Sequence, residues 1–143
     1  MKVLLLTSYY PPEIRSASQL MHELAQGLVE RKHSVVVVTP LSGYNLSEEQ
    51  SNVRHEDRFI SEESGVKVIR IPTAPFQMVH PLIRGFGHLV LPFSFLFGGL
   101  FAGRGDVISV YSPPLVTALG ALFISKLKRV PFVVNIQDLF PKN

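Results

Sequence analysis

The 143-residue chain contains no cysteine, which excludes a disulfide framework and thiol chemistry and is compatible with a reducing compartment. The short motifs of several enzyme classes are also missing. Neither G-x-G-x-x-G nor G-x-x-x-x-G-K-[ST] occurs, so the glycine-rich phosphate cradles of nucleotide sites are absent. No G-x-S-x-G elbow and no H-E-x-x-H occurs, which leaves hydrolase chemistry without a visible nucleophile. The five histidines, at 22, 33, 55, 80 and 88, show no metal-ligand spacing. Charge is sparse, at 17% of residues and a net +3. Its basic members group only at Lys126, Lys128 and Arg129, without interleaved aromatics, which argues against nucleic acid as a partner. The apolar start at 1–6 is broken by Thr7, Ser8 and the pair Pro11–Pro12, with no cleavage-site pattern, unlike a secretory signal.

What the chain has is apolar residues, 46% of the total. Its length suits one domain burying about 65–70% of the surface of its unfolded chain. Residues 2–6 and 35–39 are nearly continuous apolar runs, the mark of strands covered on both faces. Between them Leu20, Met21, Leu24, Leu28 and Val29 recur at helical spacing, after Ser16 and Gln19 in a capping-box pattern. Strands are also expected at 66–71, 106–111 and 132–136, with a helix at 115–128 whose pattern runs through Leu119, Leu122, Phe123 and Leu127. His22 reads as lying on the solvated face of the first helix, and Asn135 as inward and structural. Strand and helix alternate, which predicts an α/β fold: a Rossmann-like, doubly wound parallel sheet. The polar stretch 41–65 reads as a mobile surface loop with a helical turn near 47–50.

From 85 to 103 no residue carries a fixed charge. Three readings fit a helix over about 82–103: a membrane span flanked by Arg84 and Arg104, a helix buried in the domain, or one that packs on the sheet and docks on a membrane surface. Spanning would split the strands between two sides of a bilayer, leaving each half too few partners. The docking reading predicts an apolar patch rimmed by Arg and Lys.

In a doubly wound sheet, ligands sit beyond the carboxyl ends of the strands. Three polar loops end there, at 7–15, 112–114 and 137–141. The first leads into a helix N-terminus whose free N–H groups suit a phosphate or carboxylate. There Tyr10, Glu13, Arg15 and Ser16 are the candidate contacts, with Arg15 able to pair with an anion. Tyr111 and Ser112 are candidates at the second loop. At the third, Asp138 can orient a hydroxyl, accept a proton or cap the turn, and Gln137 can donate a hydrogen bond but not shuttle a proton.

The stretches "LLLTSYYPPEIRSASQLMHELAQGLVERKHSVVVVTP" and "DVISVYSPPLVTALGALFISKLKRVPFVVNIQDLFP", with "VKVIRIP" between them, resemble the N-terminal domain of family-4 glycosyltransferases of the GT-B fold. The resemblance is nearest to bacterial WbuB-like aminosugar transferases of surface-polysaccharide assembly. It implies a two-domain enzyme that transfers sugar with retention and without a metal or other cofactor. The donor, a UDP- or GDP-linked sugar, is held mainly by a C-terminal domain. The acceptor, a saccharide or polyprenyl-diphosphate-linked saccharide, is received by the N-terminal one in the cytoplasm, at the inner face of the membrane. It implies catalytic positions at Asp138 and Gln137, the latter through sugar contact where many members have His. Ile14-Arg15-Ser16 stands where many members have a Gly-Gly pair, and Ser109 and Tyr111 where they have histidines.

On this resemblance residues 1–143 are an incomplete, truncated acceptor-side domain, inactive without a donor-binding partner in cis or on a separate chain. The alternative is a non-catalytic subunit that pairs with a separate catalytic chain. A flavodoxin- or dehydrogenase-like cofactor binder is disfavoured by the missing glycine fingerprint.

Overall fold

The computed structural model describes residues 1–13, 15–41, 59–72, 81–112 and 115–137, with the backbone alone for 81–89. The elements in chain order are β1 (Lys2–Leu6), α1 (Ser16–Glu30), β2 (Ser34–Pro40), β3 (Ile60–Glu63), β4 (Val66–Ile71), α2 (Pro81–Phe101), β5 (Val107–Ser112), α3 (Thr117–Lys128) and β6 (Phe132–Ile136). They build one six-stranded sheet in the order β3-β4-β2-β1-β5-β6. All neighbours are parallel except β3 and β4, which form an antiparallel hairpin at one edge. The α/β, Rossmann-like expectation is met, with one antiparallel strand added.

Alternation along the strands divides the core into two layers. Leu4, Leu6, Val36, Val38, Ile69 and Ile71 face α2 and α3, where they meet Phe95, Ala121 and Ile124. Leu5, Val35, Val37, Val66 and Val68 face α1, meeting Met21 and Ala25. Glycine lets the helical layer close. A Cβ on Gly98 would lie 2.5 Å from Ile71 Cγ2 and 2.6 Å from Val38 Cγ1, and one on Gly120 would lie 2.9 Å from the carbonyl oxygen of Pro92. So α2 sits directly on β2 and β4, and α3 directly on α2. Lys128 Nζ fastens the far end of this seam by donating to the carbonyls of Gly99 and Gly103.

Four sequence expectations are corrected. First, the capping box does not form: Arg15 occupies the N-cap and makes no side-chain capping bond, Ser16 is the first helical residue, and the Gln19 amide bonds Glu23. Second, α1 turns Ser18, Met21 and Ala25 inward and leaves Leu20 and Leu24 exposed. Third, part of the 41–65 stretch is a strand, β3, whose residues pair with β4 as Ile60 with Ile69 and Glu62 with Lys67. The helical turn expected near 47–50 lies outside the described residues. Fourth, α3 buries Thr117, Gly120, Ala121 and Ile124, and it exposes Leu119, Phe123 and Leu127. The two sheet edges also differ in kind. β3 ends in Glu62 and Glu63, whereas β6 carries no charge and exposes Val133 and Ile136.

The apolar stretch becomes α2, with Phe95 in the core and Val90, Phe93, Phe97, Leu100 and Phe101 exposed. Among the described residues, no helix is long and apolar enough to cross a membrane.

Candidate functional site

Because β1, β5 and β6 are parallel and adjacent, their carboxyl ends lie side by side on one rim. The backbone of the first loop starts as an extension of the sheet, Thr7 N donating to Val38 O at 3.1 Å. The Thr7 hydroxyl then organises the turn: it accepts from Tyr9 N at 3.1 Å and donates to Tyr9 O at 2.9 Å, the local bonding that favours Thr at turns. A second turn closes as Glu13 N donates to Tyr10 O.

These turns send the two tyrosines in opposite directions. Tyr10 goes inward, 1% exposed and edge-on to the His22 ring at 5.8 Å. Tyr9 stays at the lip, edge-on to Tyr111 at 6.4 Å, with the Arg15 guanidinium 5.2 Å above its ring. The first loop is thereby joined to the end of β5 through aromatic contact, and Arg15 is held over Tyr9 by cation–π attraction. The ends of β5 and β6 are joined by the backbone, Gln137 N donating to Ser112 O at 3.2 Å. Thr117 Oγ1 donates to Tyr111 O, tying the start of α3 to the end of β5. The Gln137 amide donates to Asn135 Oδ1 at 2.6 Å, so Asn135, half-buried, acts on the rim rather than in the core.

Of the expected site residues, Arg15, Tyr111, Ser112 and Gln137 are thus linked along one rim. Tyr10 lies beneath it, and Ser16 is exposed at the start of α1. Glu13 is half-buried on the first loop. Asp138 lies outside the described residues.

Burial sets the electrostatics. The Tyr10 hydroxyl is pushed up to about 12, chiefly by burial and then by Glu63, with Arg70 pulling it down. Burial also raises the Glu13 carboxyl above its ordinary value, and Arg15 partly offsets this. At α1 the first turn holds no acidic residue and no side-chain cap, so its N–H groups and the nearby Arg15 present positive potential to the rim.

Sequence reasoning missed three residues. Tyr9 was passed over for its neighbour. His22, expected on a solvated face, packs against Tyr10, and its Nδ1 is buried without a partner. Arg70 is 5% exposed and clamps the first loop from below: it donates to Pro11 O at 3.0 Å and to Ser61 Oγ at 2.7 Å, and pairs with Glu63 at 2.8 Å. A lone Arg within the apolar strand VKVIRI was the available signal. Among the described residues there is no group of three or more His, Asp or Glu placed to hold a metal ion.

The rim therefore offers the half-buried Tyr9 ring set against the buried Tyr111, a guanidinium, the exposed Gln137 amide and a helix N-terminus, a set suited to hydroxyl-rich or anionic ligands. It holds no nucleophile–base pair of its own among the described residues.

Comparison with solved structures finds the same fold in distant proteins. The C-terminal domain of a Pyrococcus furiosus hydrogenase superposes with a TM-score of 0.54 at 12% identity, covering 94% of this chain and 89% of that one. Acinetobacter baumannii MurG superposes with a TM-score of 0.54, also at 12% identity, over 94% of this chain and 34% of its own. At such identities the likeness is one of fold alone. The chain thus spans about a third of the length of that MurG chain. No curated protein matches the sequence. Residues 17–143 do match the glycosyl transferase 4-like domain over all but the first strand and loop, and the chain belongs to that family.

Proposed function

We propose that this chain is the acceptor-side domain of a retaining sugar transferase of surface-polysaccharide assembly, allied to the WbuB-like aminosugar transferases. The observation that carries the reading is the meeting of the first loop with the ends of β5 and β6 on one rim, through Tyr9–Tyr111 and Gln137–Ser112, in a domain of this family. A donor-binding domain, in cis or on a separate chain, faces that rim and holds a UDP- or GDP-linked sugar. Tyr9 and Tyr111 bracket the acceptor saccharide. Arg15 and the α1 N-terminus attract the diphosphate, Gln137 contacts the transferred sugar, and Asp138 orients the attacking hydroxyl. Transfer uses no metal. The acceptor is a polyprenyl-diphosphate-linked saccharide, which places the domain in the cytoplasm at the inner membrane face. Alone, the chain binds acceptor without catalysing transfer.

Two measurements test this. The coding sequence downstream, or in an adjacent reading frame, should encode a second Rossmann domain with a Glu-x₇-Glu stretch. In the isotope-labelled chain, millimolar N-acetylglucosamine should shift the amides of Tyr9, Tyr111, Ser112 and Gln137, and Tyr111→Ala should abolish the shifts. No second domain together with no shifts on the rim would overturn the proposal.

A further inference from the structure

We propose that the seam between α1 and the β3–β4 hairpin is a second binding site, separate from the rim, for a small oxyanion: a carboxylate or a phosphate. The inference goes beyond the transfer reaction proposed above and needs none of its assignments.

A buried polar group without a partner is costly, and native folds keep such groups few. Here they are gathered rather than scattered. Among the described residues, every buried side-chain polar atom that lacks a hydrogen bond belongs to the first loop, α1 or Arg70. The α1 members include Ser18 Oγ, His22 Nδ1 and Gln26 Nε2, spaced one turn apart on a single stripe. That stripe faces the hairpin. At its upper end the His22 ring meets Tyr10, whose hydroxyl lies in the field of Glu63 and Arg70. At its lower end Val29 closes on the hairpin turn, where a Cβ on Gly65 would lie 3.2 Å from Val29 Cγ1. Opposite the stripe, the terminal nitrogens of Arg70 serve Ser61, Glu63 and Pro11, while its Nε is buried and unbonded. The Tyr10 hydroxyl is buried and unbonded as well.

These five groups share a chemistry. Arg70 Nε and Gln26 Nε2 only donate, the Tyr10 and Ser18 hydroxyls can donate, and His22 Nδ1 donates in one tautomer. The ligand that answers them is rich in acceptors. A carboxylate or phosphate concentrates more lone pairs at one place than a water molecule does, and its charge strengthens each bond. The charge balance allows it, because the cation is the buried member of its ion pair: Arg70 is 5% exposed and Glu63 34%. Val66 and Val68 give the α1 side of the sheet an apolar floor, and in such surroundings a charged acceptor bonds strongly. The five atoms are shielded from solvent in this closed form, so the anion enters as α1 and the hairpin part and selects the parted state.

The experiment titrates the isotope-labelled chain with sodium phosphate and, separately, sodium acetate, against sodium chloride at matched ionic strength. Nuclear magnetic resonance and thermal melting are the readouts. At least one of the two oxyanions should move the Arg70 Nε–H, Gln26 side-chain amide and His22 ring signals, saturating in the millimolar range, and raise Tm in step. His22→Phe and Gln26→Leu should each weaken that binding about tenfold. Without the anion, Gln26→Leu should melt no lower than wild type, because it replaces an unbonded polar group by an apolar one of similar shape. Weaker binding at undiminished stability is a pairing that a purely structural role does not produce. Gln26→Glu keeps the shape and repels an anion, and it should abolish the shifts if either other variant folds poorly. Shifts confined to the backbone amides of residues 16–19 would place the anion at the α1 terminus and overturn the proposal. So would chloride acting as well as both oxyanions, or a folded Gln26→Leu or Gln26→Glu chain that binds like wild type.

Discussion

Replacing Arg70 tests how the first loop is held. The guanidinium is 5% exposed, and its three partners come from two places: Ser61 and Glu63 on the edge hairpin, and the Pro11 carbonyl on the loop that leads to Tyr9 and Arg15. Arg70→Met keeps most of the stem volume and removes all three bonds. Breaking a fully buried ion pair costs about 3–5 kcal/mol. Glu63 is 34% exposed, however, and regains hydration once its partner is gone. The hydrogen bonds to charge are worth about 1.5–3 kcal/mol each in a buried setting. We therefore expect a loss of about 2–4 kcal/mol, or roughly 10 °C in Tm. Glu63→Gln leaves the guanidinium buried without a countercharge and should cost a comparable amount. The double variant should be less destabilised than the sum of the two, by about 1–3 kcal/mol. Urea unfolding of the four proteins measures the cycle, and hydrogen exchange at residues 8–13 reads the loop separately, expected to speed up in Arg70→Met beyond the global change. An Arg70→Met chain within about 0.5 kcal/mol of wild type, or strict additivity, would refute the clamp.

Tyr10 should make stability fall at high pH. Its folded-state value, about 12, lies above the ordinary 10.0, so the contribution of the neutral phenol is intact below pH 10 and is lost between 10 and 12, by at most about 2–3 kcal/mol; Tyr10→Phe should remove that slope in urea titrations. Glu13, also raised by burial, has its stabilising contribution present below the ordinary carboxylate pKa and lost as pH rises through the folded value. Glu13→Gln should flatten the acid limb and be no less stable at neutral pH. Gly98→Ala should lose about 1–2 kcal/mol by thermal melting, because overpacking against Ile71 and Val38 outweighs the helix-propensity gain of about 1 kcal/mol.

The strands that pack on both faces were legible to within a residue or so, because β1, β2 and β4 must be apolar at nearly every position. β3 was not: an edge strand reading Ile-Ser-Glu-Glu has one neighbour and owes its form to pairing with β4 rather than to its own pattern. The inward faces of α1 and α3 were misread for one reason. Where backbones approach closely, the contact is made by Ser18 and Ala25, or by Thr117, Gly120 and Ala121, and the larger Leu and Phe residues are displaced outward. At the rim, Tyr111 and Ser112 could be found because a strand end announces itself. Which of Tyr9 and Tyr10 faces out depends on bonds made by the Thr7 hydroxyl and on the space beside His22. Arg70 reaches the loop only because the sheet order brings β4 within two strands of β1.

The unlike borders of the sheet give it a direction of growth. Carboxylates at 62 and 63 fence one border against a newcomer, while Phe132–Ile136, which among the described residues pairs with β5 alone, carries no charge. Any polypeptide that extends the sheet is steered to the β6 side, next to Ser112 and Gln137. The neighbourhood of Ser112 and Gln137 is thus the part of the rim that an arriving strand would reshape, and the hairpin border is the part it would avoid.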